Sequence, residues 1–579
     1  MADDNVPHSD WLPIKKRRLV LPSFSESRHP SRMEVVPLFP RVELMLSVAL
    51  HAVLSKNHFR ILVRATIIIT WLGVLATTLN RQYNAEDLDD VGPPIKLSCG
   101  SSLWLPGNQC GIDGHDCRPF ANHRFAFTCP ANCADHRLWN PRTVGNQNLI
   151  YTHMVVGGSP GIDRDKNQPW TYRGDSQICV AAVHNGTVSN AHGGCGIVNL
   201  VGERDAYTGS HRNGINSSHF DSSFPLSFMF EEAQCRARDS RWMVLLASIS
   251  ASTLWSFTAT SPVAFFWGTT FIVFWHVGLV SDPPAISSFP RLFSVLTGRF
   301  FPMLFTCWTM YEQMGVKYVL SGLSGRLDQT ILWLGGCWLG AHENYTLRWI
   351  PIQRLTPHDI HRQPGALFSL IAIIALLSTI SVSQLQAFAV EGRAKSLLKR
   401  YLATSICLAV GSLVPQLHLR IHHYILALIL IPGTAIRTRR SLLYQGILVG
   451  LFINGIARWG WDPVLQTSED LRGDGPLDSI VPQLSSTRVC TEEKLSNITF
   501  SWETSSNTID ADGMSVLVND VERFRAYFDG NSVAANQFTW SRQDFAKSDE
   551  FFRFGYLKDR HALDYTNPGT WTKHGEWVK

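Results

Sequence analysis

Between residues 242 and 457 the sequence runs through a series of apolar stretches, most of them about as long as a helix that crosses a hydrocarbon layer of roughly 30 Å. One further apolar stretch, 61–79, stands alone upstream and is interrupted only by Arg64 at its start. Inside lipid, backbone N–H and C=O groups must be satisfied within the segment itself, so such stretches can only be helices. Nine spans are expected, near 61–79, 242–260, 262–280, 294–312, 328–342, 366–388, 401–418, 421–436 and 441–457. A mean hydropathy of −0.01 requires sizeable polar regions beside them.

Charge gives these spans a direction, because Lys and Arg favour short cytoplasmic loops. Lys15, Lys16, Arg17, Arg18, Arg28, Arg32, Arg41, Lys56 and Arg60 precede the first span and place the N-terminus in the cytoplasm. With nine spans, Lys317 and Arg326, then Arg393, Lys395, Lys399 and Arg400, then Arg437, Arg439 and Arg440 fall on that same side. Arg236, Arg238 and Arg241 dissent, but a large domain translocates regardless of such charges. Residues 1–58 read as a cytoplasmic, mostly disordered segment without the layout of a cleaved signal peptide, and 59–80 as an uncleaved first transmembrane helix. The region between the first two spans and the region after 461 then lie outside the cytoplasm, at the plasma membrane or a secretory or vacuolar endomembrane. The net charge of +5 is spent on loops beside apolar segments, so nucleic acid is not an expected partner.

Eight of the 12 cysteines (Cys99, Cys110, Cys117, Cys129, Cys133, Cys179, Cys195 and Cys235) fall in the first of these polar regions and read as a disulfide framework. A zinc site at Cys129-Pro-Ala-Asn-Cys133 would need a second ligand pair, with Cys110, Cys117 and His115 as the only candidates, and is disfavoured. From Tyr172 to Gly186 the residues describe a short buried helix. Asp175 or Ser176 is placed to cap it, Ile178, Ala181 and Ala182 form its apolar side, and Gly186 supplies a left-handed stop. Gly193-Gly194 and Asn213-Gly214 are turn signals, while 197–201 and the alternating Leu226, Phe228 and Phe230 read as strands.

These residues closely resemble the LCCL domain. The match rests on the Cys-Pro-x-x-Cys pair (Cys129, Cys133) and the core Tyr172, Ser176, Ile178, Cys179, Ala181, Ala182, His184 and Gly186. Gly193, Gly194, Tyr207, Ser210, Asn213, Gly214, Ile215, Ser217 and Ser218 complete it. The resemblance implies a small α+β unit over 127–231, a central helix wrapped by strands with disulfides and no enzymatic activity of its own, preceded by a Cys-containing linker at 81–126. Cys195 departs from the pattern, so pairing stays open, with Cys99, Cys110, Cys117 and Cys235 expected to bond among themselves or with it. The stretches Pro351 to Asp359 and Gly455 to Gly460 make the remainder similar to the multi-spanning LCCL proteins of fungi.

His184 could be read as a base or metal ligand, but a lone His closing an apolar helix is better explained as a packed, hydrogen-bonded side chain. A second constellation sits near the membrane boundary. His418 and His422 would share a helical face there, and His358, Asp359 and His361 lie on a loop assigned to the same side, which makes a metal-dependent hydrolase or solute transporter the alternative function. Neither a phosphate-binding Gly-rich loop nor a Gly-x-Ser-x-Gly or His-Glu-x-x-His motif occurs. Asn216, Asn344 and Asn497 head sequons on the outer side.

The region 461–579 reads as a β-rich module with strands at 498–502, 514–518 and 551–556. Trp540, Tyr556, Tyr565, Trp571 and Trp577 could line a sugar-binding face, with core packing preferred. The expected whole is a multi-pass α-helical membrane protein that needs no cofactor, contacts membrane lipids and presents a binding domain whose ligand is a polysaccharide, lipid or protein.

Overall fold

The computed structural model describes residues 35, 37–53, 56–83, 88, 91–159, 170–233, 239–321, 323, 325–352, 357–472, 475–491, 495–502, 511–528, 536–543 and 548–579. The chain forms a helical bundle, a disulfide-bonded α+β domain inserted between the first two long helices, and a C-terminal β module.

Among the described residues four helices are long and apolar enough to cross a membrane: Asn57–Tyr83, Pro262–Ser281, Ala366–Val390 and Arg439–Arg458. The other five expected spans do not reach that length and apolarity in a single described helix. Phe289–Glu312 has the length but carries Arg291 and Arg299, Ala394–Ser412 opens on Lys395, Lys399 and Arg400, and His423–Thr434 is short.

The four divide by burial. Pro262–Ser281 and Arg439–Arg458 are 72% and 67% buried along their apolar windows, whereas Asn57–Tyr83 and Ala366–Val390 are only 11% and 6% buried and present apolar flanks outward. Arg439–Arg458 packs against Gly335–Ala341 backbone to backbone. A Cβ added at Gly340 would lie 2.0 Å from the Ile447 carbonyl oxygen, and one at Gly450 2.0 Å from that of Cys337. Gly336 and Gly340 on one side and Gly446 and Gly450 on the other each face the partner's backbone, the small-residue spacing that lets helices approach closely in lipid. Helix Arg241–Thr258 turns a row of serines inward: Ser248 accepts from the Trp71 indole (2.8 Å), Ser252 from that of Trp338 (3.0 Å), and Ser256 bonds Thr330 (2.7 Å). Two stretches, Val277–Ser281 and Gln329–Leu334, are π-helical.

The N-terminal region is more ordered than expected where it is described. Pro40–Val53 is a helix, and its buried Glu43 accepts the backbone N–H groups of Arg326 (2.6 Å) and Leu327 (3.0 Å), satisfying donors that open the next helical segment. Residues 1–34 lie outside the described residues.

In the inserted domain a five-stranded sheet runs in the order Ile95–Lys96, Ala121–Cys129, Gly194–Val201, Ser227–Glu231, Thr171–Arg173; the first pair is parallel and the others antiparallel. Helix Ile178–Asn185 is buried from Ile178 to His184, so it forms the centre of the domain. Gly186 ends it at φ 93°, its N–H reaching the carbonyls of Ala182 and Val183. Neither Asp175 nor Ser176 caps the start: Gln177 stands at that position, Ser176 Oγ accepts from the Val156 N–H (2.9 Å), and Asp175 pairs with Arg173.

Disulfides join Cys99 to Cys133, Cys110 to Cys117 and Cys129 to Cys179, and Cys195 is disulfide-bonded as well. Cys235 lies outside the described residues. Cys129 and Cys133 thus staple two different segments, and Cys99 pairs outside the set expected for it. The segment read as a linker supplies the edge strand Ile95–Lys96, Cys99, and Trp104 and Cys110 in the core, so the domain begins upstream of 127.

The C-terminal module stacks a three-stranded sheet (Leu484–Thr491, Leu495–Trp502, Gln537–Gln543) on a larger one. The larger sheet is ordered Val521–Tyr527, Gly513–Val518, Glu550–Lys558, Gly569–Trp571, Trp577–Val578, with His561–Tyr565 also paired to Glu550–Lys558. Ile498, Phe500, Trp502 and Phe538 from the first meet Met514, Val516, Phe552, Phe554 and Trp571 from the second.

Candidate functional site

The central helix carries the residues that first suggested chemistry, and the structure explains them as packing. His184 is fully buried. Its Nε2 faces the Ser210 carbonyl (3.3 Å), which can only accept, so Nε2 carries the proton and Nδ1 accepts from the Tyr172 hydroxyl (2.9 Å). Burial holds the imidazole below its ordinary pKa and the Tyr172 phenol above its own. A neutral ring with both nitrogens engaged is neither a free base nor an open metal ligand. Asn213 donates to the Val183 carbonyl (2.8 Å) at the helix end, and Ile215 is buried. A Cβ at Gly193 would lie 2.4 Å from the Cys129 carbonyl oxygen, while Ala181 and Ala182 are fully buried, so these positions admit only small side chains.

Beside the helix, Arg173 joins this domain to the C-terminal module. It is fully buried, donates through Nε to Asp175 (2.9 Å) and through Nη1 to Asp520 (2.9 Å), and lies over the rings of Phe220 (4.4 Å) and Phe224 (4.7 Å). Asp520 also accepts from the Gly145 N–H (2.9 Å) and from Arg553 (2.7 Å). Burial raises the Asp520 carboxyl, but Arg553 and Arg173 outweigh it and hold the group below its usual range. Asn519 and Asp520 take φ 54° and 65°, the two left-handed residues of a tight hairpin between Gly513–Val518 and Val521–Tyr527. The tip of that hairpin is what enters the inserted domain. Around it Phe551 packs on Phe220 (5.8 Å between centroids), Asn108 donates to Tyr565 (3.3 Å), and Arg523 pairs with Asp113 (3.1 Å).

The turn at 212–214 makes no such contact with the C-terminal module among the described residues. Arg212, Asn213 and Gly214 are exposed, and the Arg212 guanidinium sits 4.5 Å from the centroid of the Trp170 ring. On a third side the domain rests on the bundle: Asp239 accepts from the Ala131 N–H (2.8 Å) and pairs with Arg241, Arg348 pairs with Asp135, and Tyr151 donates to the buried Asp359 (3.0 Å).

The histidines proposed as metal ligands are not gathered. His418 lies in the short strand Leu417–Leu419, paired with Leu465–Thr467, and bonds Ser468 (2.8 Å). His422 precedes helix His423–Leu430 and sits 3.9 Å from Asp462, so the two share no helical face. His361 is exposed, and the side chain of His358 lies outside the described residues. Among the described residues no group of three His, Cys, Asp or Glu side chains is placed to hold a metal ion.

The C-terminal aromatics are dispersed. Trp571 and Tyr556 are buried, Trp577 packs on Phe500 and Phe552, Trp540 donates to Glu550 (3.0 Å), and Tyr565 meets Ser515 (2.9 Å). Of the sequons, Asn216 is exposed and Asn344 and Asn497 are half-buried. Sequence reasoning passed over Arg173, Asp520, His276 and His342. Only Val518-Asn-Asp-Val521 carried a local signal, that of a two-residue hairpin turn.

The sequence matches the LCCL domain over residues 97–225. It is also 32% identical over 464 residues to Uncharacterized protein YIL067C of Saccharomyces cerevisiae, an alignment covering 76% of this chain and 67% of the yeast protein.

Proposed function

Starting from the fact that the chain belongs to the family of this yeast relative and contains an LCCL domain, we propose that it is an integral membrane protein presenting an LCCL-type binding domain outside the cytoplasm. The observation that carries this reading is the arrangement of three parts: the LCCL domain is held at one end of the helical bundle through Asp239, Asp135 and Asp359, and locked to the C-terminal module through Arg173. A disulfide-bonded domain belongs in an oxidising compartment, and the charge pattern of the loops puts the N-terminus on the opposite side. The C-terminal module covers one flank of the domain, which leaves the edge of Trp170, Arg212, Asn213 and Gly214 as the ligand-facing surface. The ligand class is a polysaccharide, lipid or protein at the outer face of the membrane.

The test uses full-length protein in nanodiscs, applied to immobilised cell-wall glycans and to vesicles of neutral and anionic phospholipid. Saturable binding that Arg212→Ala weakens at least tenfold supports the reading. Binding that is unaffected by Arg212→Ala removes this edge as the surface, and no binding to glycans, lipids or membrane-surface proteins removes the function.

A further inference from the structure

We propose that His276 and His342, buried in the bundle at the end facing the LCCL domain, form a binding site for a single hydroxyl group. His276 is fully buried at the end of helix Pro262–His276, where the π-helical turn Val277–Ser281 begins. Its Nδ1 lies 3.0 Å from Ser248 Oγ, which in turn lies 2.8 Å from the Trp71 indole nitrogen. An indole N–H can only donate, so Ser248 accepts from Trp71, and its own proton is free to be given to His276 Nδ1, the assignment the proposal makes. The ring proton of His276 is therefore on Nε2. His342, 5% exposed, has the reverse arrangement: its Nδ1 lies 3.2 Å from the Trp338 carbonyl oxygen, an acceptor, so Nδ1 carries the proton and Nε2 is bare.

Neither Nε2 has a hydrogen-bond partner among the described residues, and the two rings are neighbours, 5.4 Å between centroids, both packed against the Trp338 indole. A buried donor and a buried acceptor left unpaired cost about 1–3 kcal/mol each. One hydroxyl between them removes both costs, accepting from His276 and donating to His342 through bonds of about 2.8 Å. Two further buried oxygens have no partner among the described residues: Ser281 Oγ, in the π-helical turn that follows His276, and Asn454 Oδ1, on helix Arg439–Arg458, whose amide donates to the Ala341 carbonyl (2.8 Å) next to His342. π-Helical turns inside α-helices recur at functional sites. The hydroxyl belongs either to a bound water or to the headgroup of an apolar alcohol such as a sterol or diacylglycerol.

The pairing predicts opposite tautomers, which solid-state NMR of full-length protein with ¹⁵N-labelled histidine reads directly. The signal lost in His276→Asn is expected to be protonated on Nε2, and that lost in His342→Asn on Nδ1. If either variant does not purify, Ser248→Ala, which removes the proton donor to Nδ1, is expected to shift the His276 signal alone. Identical tautomers overturn the proposal. Thermal melting of delipidated protein with cholesterol or its methyl ether then identifies the source. A Tm that rises with cholesterol alone assigns an alcohol headgroup, and no rise with either, together with isolated oxygen density between the rings in a high-resolution map, assigns water. A map in which neither is present between the rings overturns the site.

Discussion

Replacing Arg173 with Ala removes a cation that both Asp175 and Asp520 face, and its cost can be worked from the contacts. The side chain is 0% exposed, its carboxylate partners are 15% and 7% exposed, and two phenylalanine rings lie under the guanidinium. Breaking a buried pair by deleting one partner costs about 3–5 kcal/mol, because the remaining charge stays buried without compensation. Two features pull against each other. Asp520 keeps Arg553 and the Gly145 N–H, which lowers the cost, while the lost cation–ring contacts add about 2 kcal/mol when desolvated. The net expectation is about 4 kcal/mol. For a unit of roughly 150–250 residues each kcal/mol shifts Tm by about 2–4 °C, so the combined LCCL and C-terminal transition should fall by about 8–16 °C. The assay is thermal melting of full-length protein in detergent by tryptophan fluorescence, with hydrogen exchange of 171–175 and 513–527 as a local readout. Both segments should lose protection together in Arg173→Ala. A shift under about 2 °C, or loss of protection in only one segment, would refute the idea that the two modules are locked through this residue.

The same junction is acid-labile. Because the Asp520 carboxyl is held below its ordinary value, its contribution is complete above the unfolded value near about 4 and is lost as pH falls through the lower native value; exchange at 513–527 should therefore accelerate below about pH 4, more steeply in wild type than in Asp520→Asn. Cys179→Ser opens a link between residues 50 apart in sequence and should destabilise the LCCL domain by about 4 kcal/mol on the chain-entropy account, checked by non-reducing melting curves. In the bundle, Gly450→Leu would force a side chain into the Cys337 carbonyl, so monodisperse protein should be lost on gel filtration, whereas Gly73→Leu, where a Cβ meets nothing within 4 Å, should behave as wild type.

What could be read in advance follows the range of the forces involved. The helix stop at Gly186 and the turn at Asn213-Gly214 depend on a few adjacent residues, and the strands at 498–502, 514–518 and 551–556 on local alternation, so each is visible in sequence. Burial of His184 was expected from its place at the end of an apolar helix, though its partner Ser210 was not. Arg173 and Asp520 stand 347 residues apart, and nothing local marks either as the other's partner. His418 and His422 were placed on one helical face by their spacing, but tertiary pairing with 465–467 draws His418 into a strand. Five of the nine expected spans were legible only as apolar stretches, because hydropathy does not say where a stretch breaks into shorter elements such as Gln329–Leu334 and Gly335–Ala341.

The central claim is that the LCCL domain and the C-terminal module lie together across a membrane from the N-terminus. Epitope tags at the exposed Asn213-Gly214 turn, at Lys579 and at Met1, probed by antibody in sealed vesicles of one orientation before and after permeabilisation, test it directly. The account predicts that the first two tags become accessible together, on the side opposite the third. A Met1 tag accessible from the same side as the LCCL tag would contradict it.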